Sequence, residues 1–138
     1  MSRIIVILSF CCILAFELLA DESETNLWQK WTETVLKRSE ESQKLILLKV
    51  VRDDCYYCTY MNYYVFNQVE TSTYIKKHFI PVAVNISHES MPLGLKASMT
   101  PSFYILTADK KVVKNIRGAW TNDDFKALMH TIVKGQKQ

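Results

Sequence analysis

The stretch Leu45-Ile-Leu-Leu-Lys-Val-Val-Arg-Asp-Asp-Cys-Tyr-Tyr-Cys58 decides how this chain folds. Its first seven residues form an apolar run rich in strand formers and without polar alternation. That pattern predicts a strand buried on both faces, as in parallel sheets. Arg52, Asp53 and Asp54 end the run. From Cys58 onward Met61, Val65 and Val69 recur at helical spacing, so a helix starts near Cys55. A C-x-x-C that follows a buried strand and opens a helix places Cys55 where the helix dipole and free N–H groups stabilise a thiolate. Cys58 then lies one turn inside, shielded, so one thiol attacks and the other resolves the mixed disulfide. Two other readings of the pair exist. Structural zinc needs about four ligands; beyond the leader there is no third cysteine, and His78, His88 and His130 are scattered as ordinary surface or half-buried residues. A static disulfide closing so short a loop removes little chain entropy, so stability is a poor reason to have it.

Upstream, Leu27, Trp31 and Val35 recur four residues apart, which predicts a helix over 25–41. Downstream, 71–78 reads as a short helix and 79–86 as a strand. Pro81 removes one ladder donor and belongs near a strand end or edge. A short helix is expected over 90–97. Strands 102–107 and 112–117 are joined by Ala108-Asp109-Lys110-Lys111, a length that suits a hairpin. The last helix has Phe125, Leu128, Met129, Ile132 and Val133 on one face, and Thr121 with Asp124 resembles a capping box. Strands 45–51 and 79–86, joined through helix, should be parallel, and the last two antiparallel. The fold class is therefore α/β, a central mixed sheet flanked by helices on both faces.

The chain has 138 residues, 49% of them apolar, and only three Gly and three Pro. That suits one domain and excludes disorder, collagen and repeat arrays. A net charge of +3 is too small to point to nucleic acid or an anionic membrane surface. Arg3 precedes an apolar run from Ile4 to Phe16, and Leu18-Leu19-Ala20 leads into acidic residues. This reads as a secretory signal peptide, residues 1–20, cleaved after Ala20. The alternative, an uncleaved anchor, has to span with a run shorter than the roughly 20 residues a bilayer needs. A lipoprotein is excluded because Phe10 precedes Cys11 and Cys11 precedes Cys12. The expected domain is 21–138, exported to an oxidising compartment with Cys55 and Cys58 as its cysteines.

Taken together, Cys55-x-x-Cys58, the strand around Pro81, Thr100-Pro101 and Gly118 stand in an order that resembles the thioredoxin superfamily, over about residues 45–133. The chain is most similar to small exported thioredoxin-like proteins. The resemblance implies a thioredoxin fold, with Cys55 as attacking and Cys58 as resolving thiol. It implies that Pro101 is the family's cis-proline, packed against the cysteines, and that Thr100 offers its backbone to a substrate strand. Gly118 matches the glycine after the hairpin. Catalysis then needs no bound cofactor and no metal. The partners are protein thiols and disulfides, with electrons from a membrane thiol donor in a bacterial periplasm; the implied direction is reduction, and the implied state is a monomer.

The chain departs from thioredoxin in ways that bear on the site. Asp54 precedes Cys55, and Tyr56-Tyr57 replace Gly-Pro. Lys49 stands where thioredoxin has a buried Asp that accepts the resolving thiol's proton. Pointing toward the cysteines, Lys49 favours a thiolate or, if buried, loses its own proton; alternatively it snorkels to the strand end. Asp53 and Asp54 act oppositely, raising the thiol pKa, or serve only as turn and cap residues. Five of the seven tyrosines fall between Tyr56 and Tyr64. They form either an exposed rim that grips a peptide, with Tyr56 and Tyr57 outermost, or packing against the sheet. Trp28, Trp31 and Trp120 read as core or half-core. Two rival functions follow: an oxidase or isomerase with the same site, and a binding module whose disulfide is permanent.

Overall fold

The computed structural model describes residues 26–136. The expected leader and its Cys11–Cys12 pair lie outside the described residues. In chain order the elements are β1 (Gln29–Lys30), α1 (Thr34–Ser42), β2 (Leu45–Val51), α2 (Tyr56–Met61) continued by a π-helical turn (Asn62–Phe66), α3 (Val69–His78), β3 (Phe79–Asn85), a 3₁₀ turn (Pro92–Gly94), β4 (Ser102–Leu106), β5 (Val112–Arg117) and α4 (Asn122–Gly135). They form a five-stranded sheet in the order β1-β3-β2-β4-β5. β3 is parallel to β1 and β2, whereas β4 is antiparallel to β2 and to β5. The mixed α/β sheet is thus the one expected.

The central position of β2 explains its composition. Ile46, Leu48 and Val50 pack with Val35 of α1, Val82, Val84, Tyr104 and Leu106 on one face. Leu47 packs on the other with Met61, Val65, Phe66, Ile75, Phe103, Phe125 and Met129, beneath α2, α3 and α4. Phe66, Phe103 and Phe125 meet edge to face, with ring centroids 5.2–5.8 Å apart. Because side chains alternate along a strand, Lys49 falls on the Leu47 face, under the helices that follow the cysteines. Its cross-strand neighbours are Ala83 and Phe103.

Several boundaries differ from the sequence pattern. The stretch 25–41 is not one helix: Gln29 and Lys30 pair with Val82 and Ala83, and the helix begins only at Thr34. Leu27 and Trp28 pack on the α2–α4 face and Trp31 and Leu36 on the α1 face. The apparent stripe was therefore two stripes on opposite sides of the sheet, and the open edge of β3 overrode helix propensity. Val69 is not on the α2 face either; it is 80% exposed at the start of α3. The π turn turns both Val65 and Phe66 inward, and the chain then breaks at Gln68, extended as the cap of α3. Pro81 sits in an interior strand rather than an edge, but β1 covers only Val82 and Ala83, so the outer side of β3 is unpaired at that residue. Over 90–97 only the 3₁₀ turn forms, with Leu93 in the left-handed region.

The final helix begins as its sequence indicates. Thr121 Oγ1 accepts the Asp124 N–H at 3.2 Å and donates to the Asp124 carboxylate at 2.8 Å. Thr121→Ala should lower stability by about 1 kcal/mol, the usual worth of a threonine cap. Urea unfolding checks this; an unchanged midpoint would mean that docking of Phe125 and Met129 holds the helix start without the cap.

Candidate active site

Cys55 is the N-cap of α2, and its Sγ accepts the backbone N–H of Cys58 at 3.2 Å. The Thr59 N–H donates to the Cys55 carbonyl at 3.1 Å. The two cysteines form a disulfide, S–S 2.11 Å and Cα–Cα 5.2 Å. Cys58 is buried at 8% exposure, while Cys55 is more open. The strand-to-helix transition thus leaves one sulfur reachable and the other behind it.

The segment leading into Cys55 is fastened to the turn after β3. The Asp53 N–H donates to Ser87 Oγ at 3.0 Å. Asn85 Nδ2 donates to one Asp53 carboxylate oxygen at 2.8 Å, and His88 Nε2 lies 2.7 Å from the other. These contacts, the Asn85 hydrogen bond first, hold the Asp53 carboxyl below its ordinary pKa. Asp53 is thus engaged away from the sulfurs. Asp54, in the left-handed region at φ 50°, lines the cleft that contains them.

That cleft, about 1320 Å³, is bordered by Trp28, Lys49, Cys55, Tyr56, Cys58 and Asn62. Lys49 does not snorkel to the strand end. It is 5% exposed, donates to Asn62 Oδ1 at 3.0 Å, and holds Nζ 4.2 Å from the Trp28 ring centroid and 5.1 Å from that of Phe66. None of the ion pairs among the described residues includes it. Burial without a counter-ion pushes its pKa down from 10.5 to about 7. Asn62 also donates its backbone N–H to the Cys58 carbonyl, so Lys49 reaches the helical turn that Cys58 occupies.

Tyr56 and Tyr57 are exposed, 77% and 59%, with their rings edge to face at 5.2 Å. Tyr63 and Tyr64 are exposed as well, whereas Tyr60 packs against the core. Tyr56 borders the cleft and Tyr57 does not. The Thr100–Pro101 peptide is cis. Pro101 is buried, and its carbonyl accepts the Gly118 N–H at 2.9 Å. Gly118 has φ 78°, a conformation that favours glycine. Ser102 pairs with Val50, so Pro101 stands at the sheet end from which the Cys55 segment departs, although it does not border the cleft.

Two residues of the site escape a reading of the sequence. Trp28 reads only as core or half-core, yet it forms the aromatic wall over Lys49. Asn62 carries one signal, a polar residue four positions after Cys58; nothing in the sequence pairs it with Lys49.

A mixed five-stranded sheet and a cysteine pair at the strand-to-helix junction define a thioredoxin-fold protein of the oxidoreductase-like kind. The family profile described as a thioredoxin-like domain matches residues 32–132, most of the chain, and the chain belongs to that family. No curated protein sequence matches. Among solved structures, the chain is similar to a thioredoxin from Thermus thermophilus (18% identity, TM-score 0.63, covering 76% of this chain and 85% of that one). It is also similar to the C-terminal domain of DsbD from Neisseria meningitidis in the reduced form (17%, 0.57, 71% and 90%). A third likeness is to a disulphide isomerase from Xylella fastidiosa Temecula1 (17%, 0.60, 72% and 86%). At such identities these likenesses speak for the fold.

Proposed function

We propose that the chain is an exported thiol–disulfide oxidoreductase that reduces protein disulfides. The observation that carries the reading is the placing of Cys55 as the reachable cap of α2 with Cys58 buried one turn behind it. The Cys55 thiolate attacks a substrate disulfide, one substrate sulfur leaves with the electron pair, and a mixed disulfide forms. Cys58 then attacks Cys55 Sγ, the mixed disulfide breaks, and the substrate is released as a dithiol while the Cys55–Cys58 bond forms. A partner protein's dithiol, supplied by a membrane thiol donor, returns two electrons.

Tyr56 and Tyr57 present the exposed aromatic surface that would grip a peptide. The Thr100 backbone beside Pro101 offers strand-type hydrogen bonds to an extended substrate segment. The Asp54 carboxylate beside Cys55 disfavours its thiolate, which favours the reducing direction. Lys49 pulls the other way, and it is the observation that favours the rival reading, an oxidant or isomerase using the same site.

The equilibrium reduction potential of the Cys55/Cys58 pair tests the proposal and separates the two. A value near about −270 mV supports a reductase, and one between about −180 and −120 mV reassigns the protein as an isomerase or oxidant. A disulfide that exchanges with no redox buffer would leave only the binding module.

A further inference from the structure

Among the described residues Lys49 has a hydrogen bond, two aromatic rings and no anion. The surrounding charges do not supply one. Lys30, Arg52 and Lys76 border the same cleft as cations. Asp54 and Glu89 border it as carboxylates, but neither forms an ion pair with Lys49. A buried amine so placed is expensive in the charged form. A buried group in the same cleft able to become an anion is the sulfur of Cys58, which sits on the helical turn that Lys49 reaches: Lys49 donates to the Asn62 side chain, and the Asn62 backbone N–H donates to the Cys58 carbonyl.

We propose that the Cys58 thiolate is the missing counter-ion of Lys49, so that reducing the disulfide creates a buried ammonium–thiolate pair that stabilises the dithiol form. The inference deepens the exchange reading and rests on it only in that the disulfide must be reduced during the protein's cycle. The step balances. A donor dithiol gives up two electrons and two protons and becomes a disulfide, and the Cys55–Cys58 bond breaks. Above neutral pH, where Lys49 is neutral in the oxidised protein, one proton goes to Cys55 and the other to Lys49 Nζ rather than to Cys58 Sγ. Resolution runs the same path backwards: the thiolate needed to break the mixed disulfide is already present, and Lys49 gives up its proton when the disulfide closes. Lys49 makes the pair more oxidising than a neutral residue in its place would, whatever the absolute potential.

The test uses chains in which Cys58 is the sole thiol, carrying Cys11→Ser, Cys12→Ser and Cys55→Ser, with and without Lys49→Met. Thiolate absorbance is titrated against pH. The expected result is that Lys49→Met raises the Cys58 pKa by at least one unit, a tenfold loss of thiolate at a fixed pH below both values. In chains retaining Cys55, the same substitution shifts the equilibrium with a reference dithiol at least tenfold toward the disulfide, about 30 mV more reducing. An unchanged Cys58 pKa overturns the proposal. Methionine removes a buried charge and suits the apolar surroundings. Should that variant nevertheless fail to fold, NMR titration of the Lys49 side chain in the unsubstituted protein decides instead. The proposal requires a higher Lys49 pKa in the reduced than in the oxidised form, and equal values overturn it. Failure of the exchange reading looks different: no turnover of any protein disulfide, with the Cys58 pKa still responding to Lys49→Met.

Discussion

Cys55→Ser is expected to reduce disulfide turnover to the uncatalysed background, and Cys58→Ser to stop the reaction halfway. The asymmetry follows from placement. Cys55 caps α2 and is the more open of the two sulfurs, while Cys58 is 8% exposed beneath it. Without Cys55 the buried thiol has no route to a folded partner's disulfide, and a serine hydroxyl does not ionise near neutral pH. Without Cys58 the first attack still proceeds, but nothing inside the site breaks the mixed disulfide. Turnover of a protein disulfide, followed by non-reducing mass spectrometry, separates the two variants. Cys55→Ser should show neither turnover nor adduct. Cys58→Ser should accumulate the covalent adduct. Turnover surviving in Cys55→Ser would sink the assignment of roles, and an adduct through Cys58 alone would reverse it.

What the sequence made legible depended on whether a feature was local. The buried strand 45–51, the helix opening at the cysteines and the Thr121 cap are each written into a few consecutive residues, and all three appear where their patterns place them. The region before β2 departs from its sequence pattern because its spacing is real but its cause is not helical. Leu27 and Trp31 serve opposite faces of the sheet, and only the position of β3 determines that Gln29 and Lys30 extend as a strand. The π turn is a similar case: Met61, Val65 and Val69 keep a helical period in sequence, but packing brings in Phe66 and leaves Val69 outside. The orientation of Lys49 turned on a contact between residues thirteen apart. The sequence offered an inward and a snorkelling lysine, and it is the rings of Trp28 and Phe66 that accommodate the amine inside.

The inward lysine has a consequence for stability that does not depend on any substrate. In the folded, disulfide-bonded protein Lys49 loses its proton near pH 7, whereas in the unfolded chain it keeps it to about 10.5. Between those values the unfolded state binds more protons, so stability must rise with pH. Below pH 7 the full penalty of the buried charge is present; it is relieved progressively as pH climbs toward 10.5. At about 1.4 kcal/mol per unit, the whole window is worth about 4–5 kcal/mol, and the interval from pH 7 to 9 about 2–3 kcal/mol. Urea unfolding of the oxidised protein across that interval should show this rise, and Lys49→Met should abolish it while stabilising the protein most at the acid end. Parallel profiles for the two proteins would mean that the amine is solvated in the folded state. The reduced protein supplies the complementary result: if Cys58 provides the anion, the advantage of Lys49→Met shrinks once the disulfide is opened. A methionine that improves the oxidised protein and loses that advantage in the reduced one places the lysine's value in the dithiol state. Stability of the disulfide form alone would favour the apolar residue at that position.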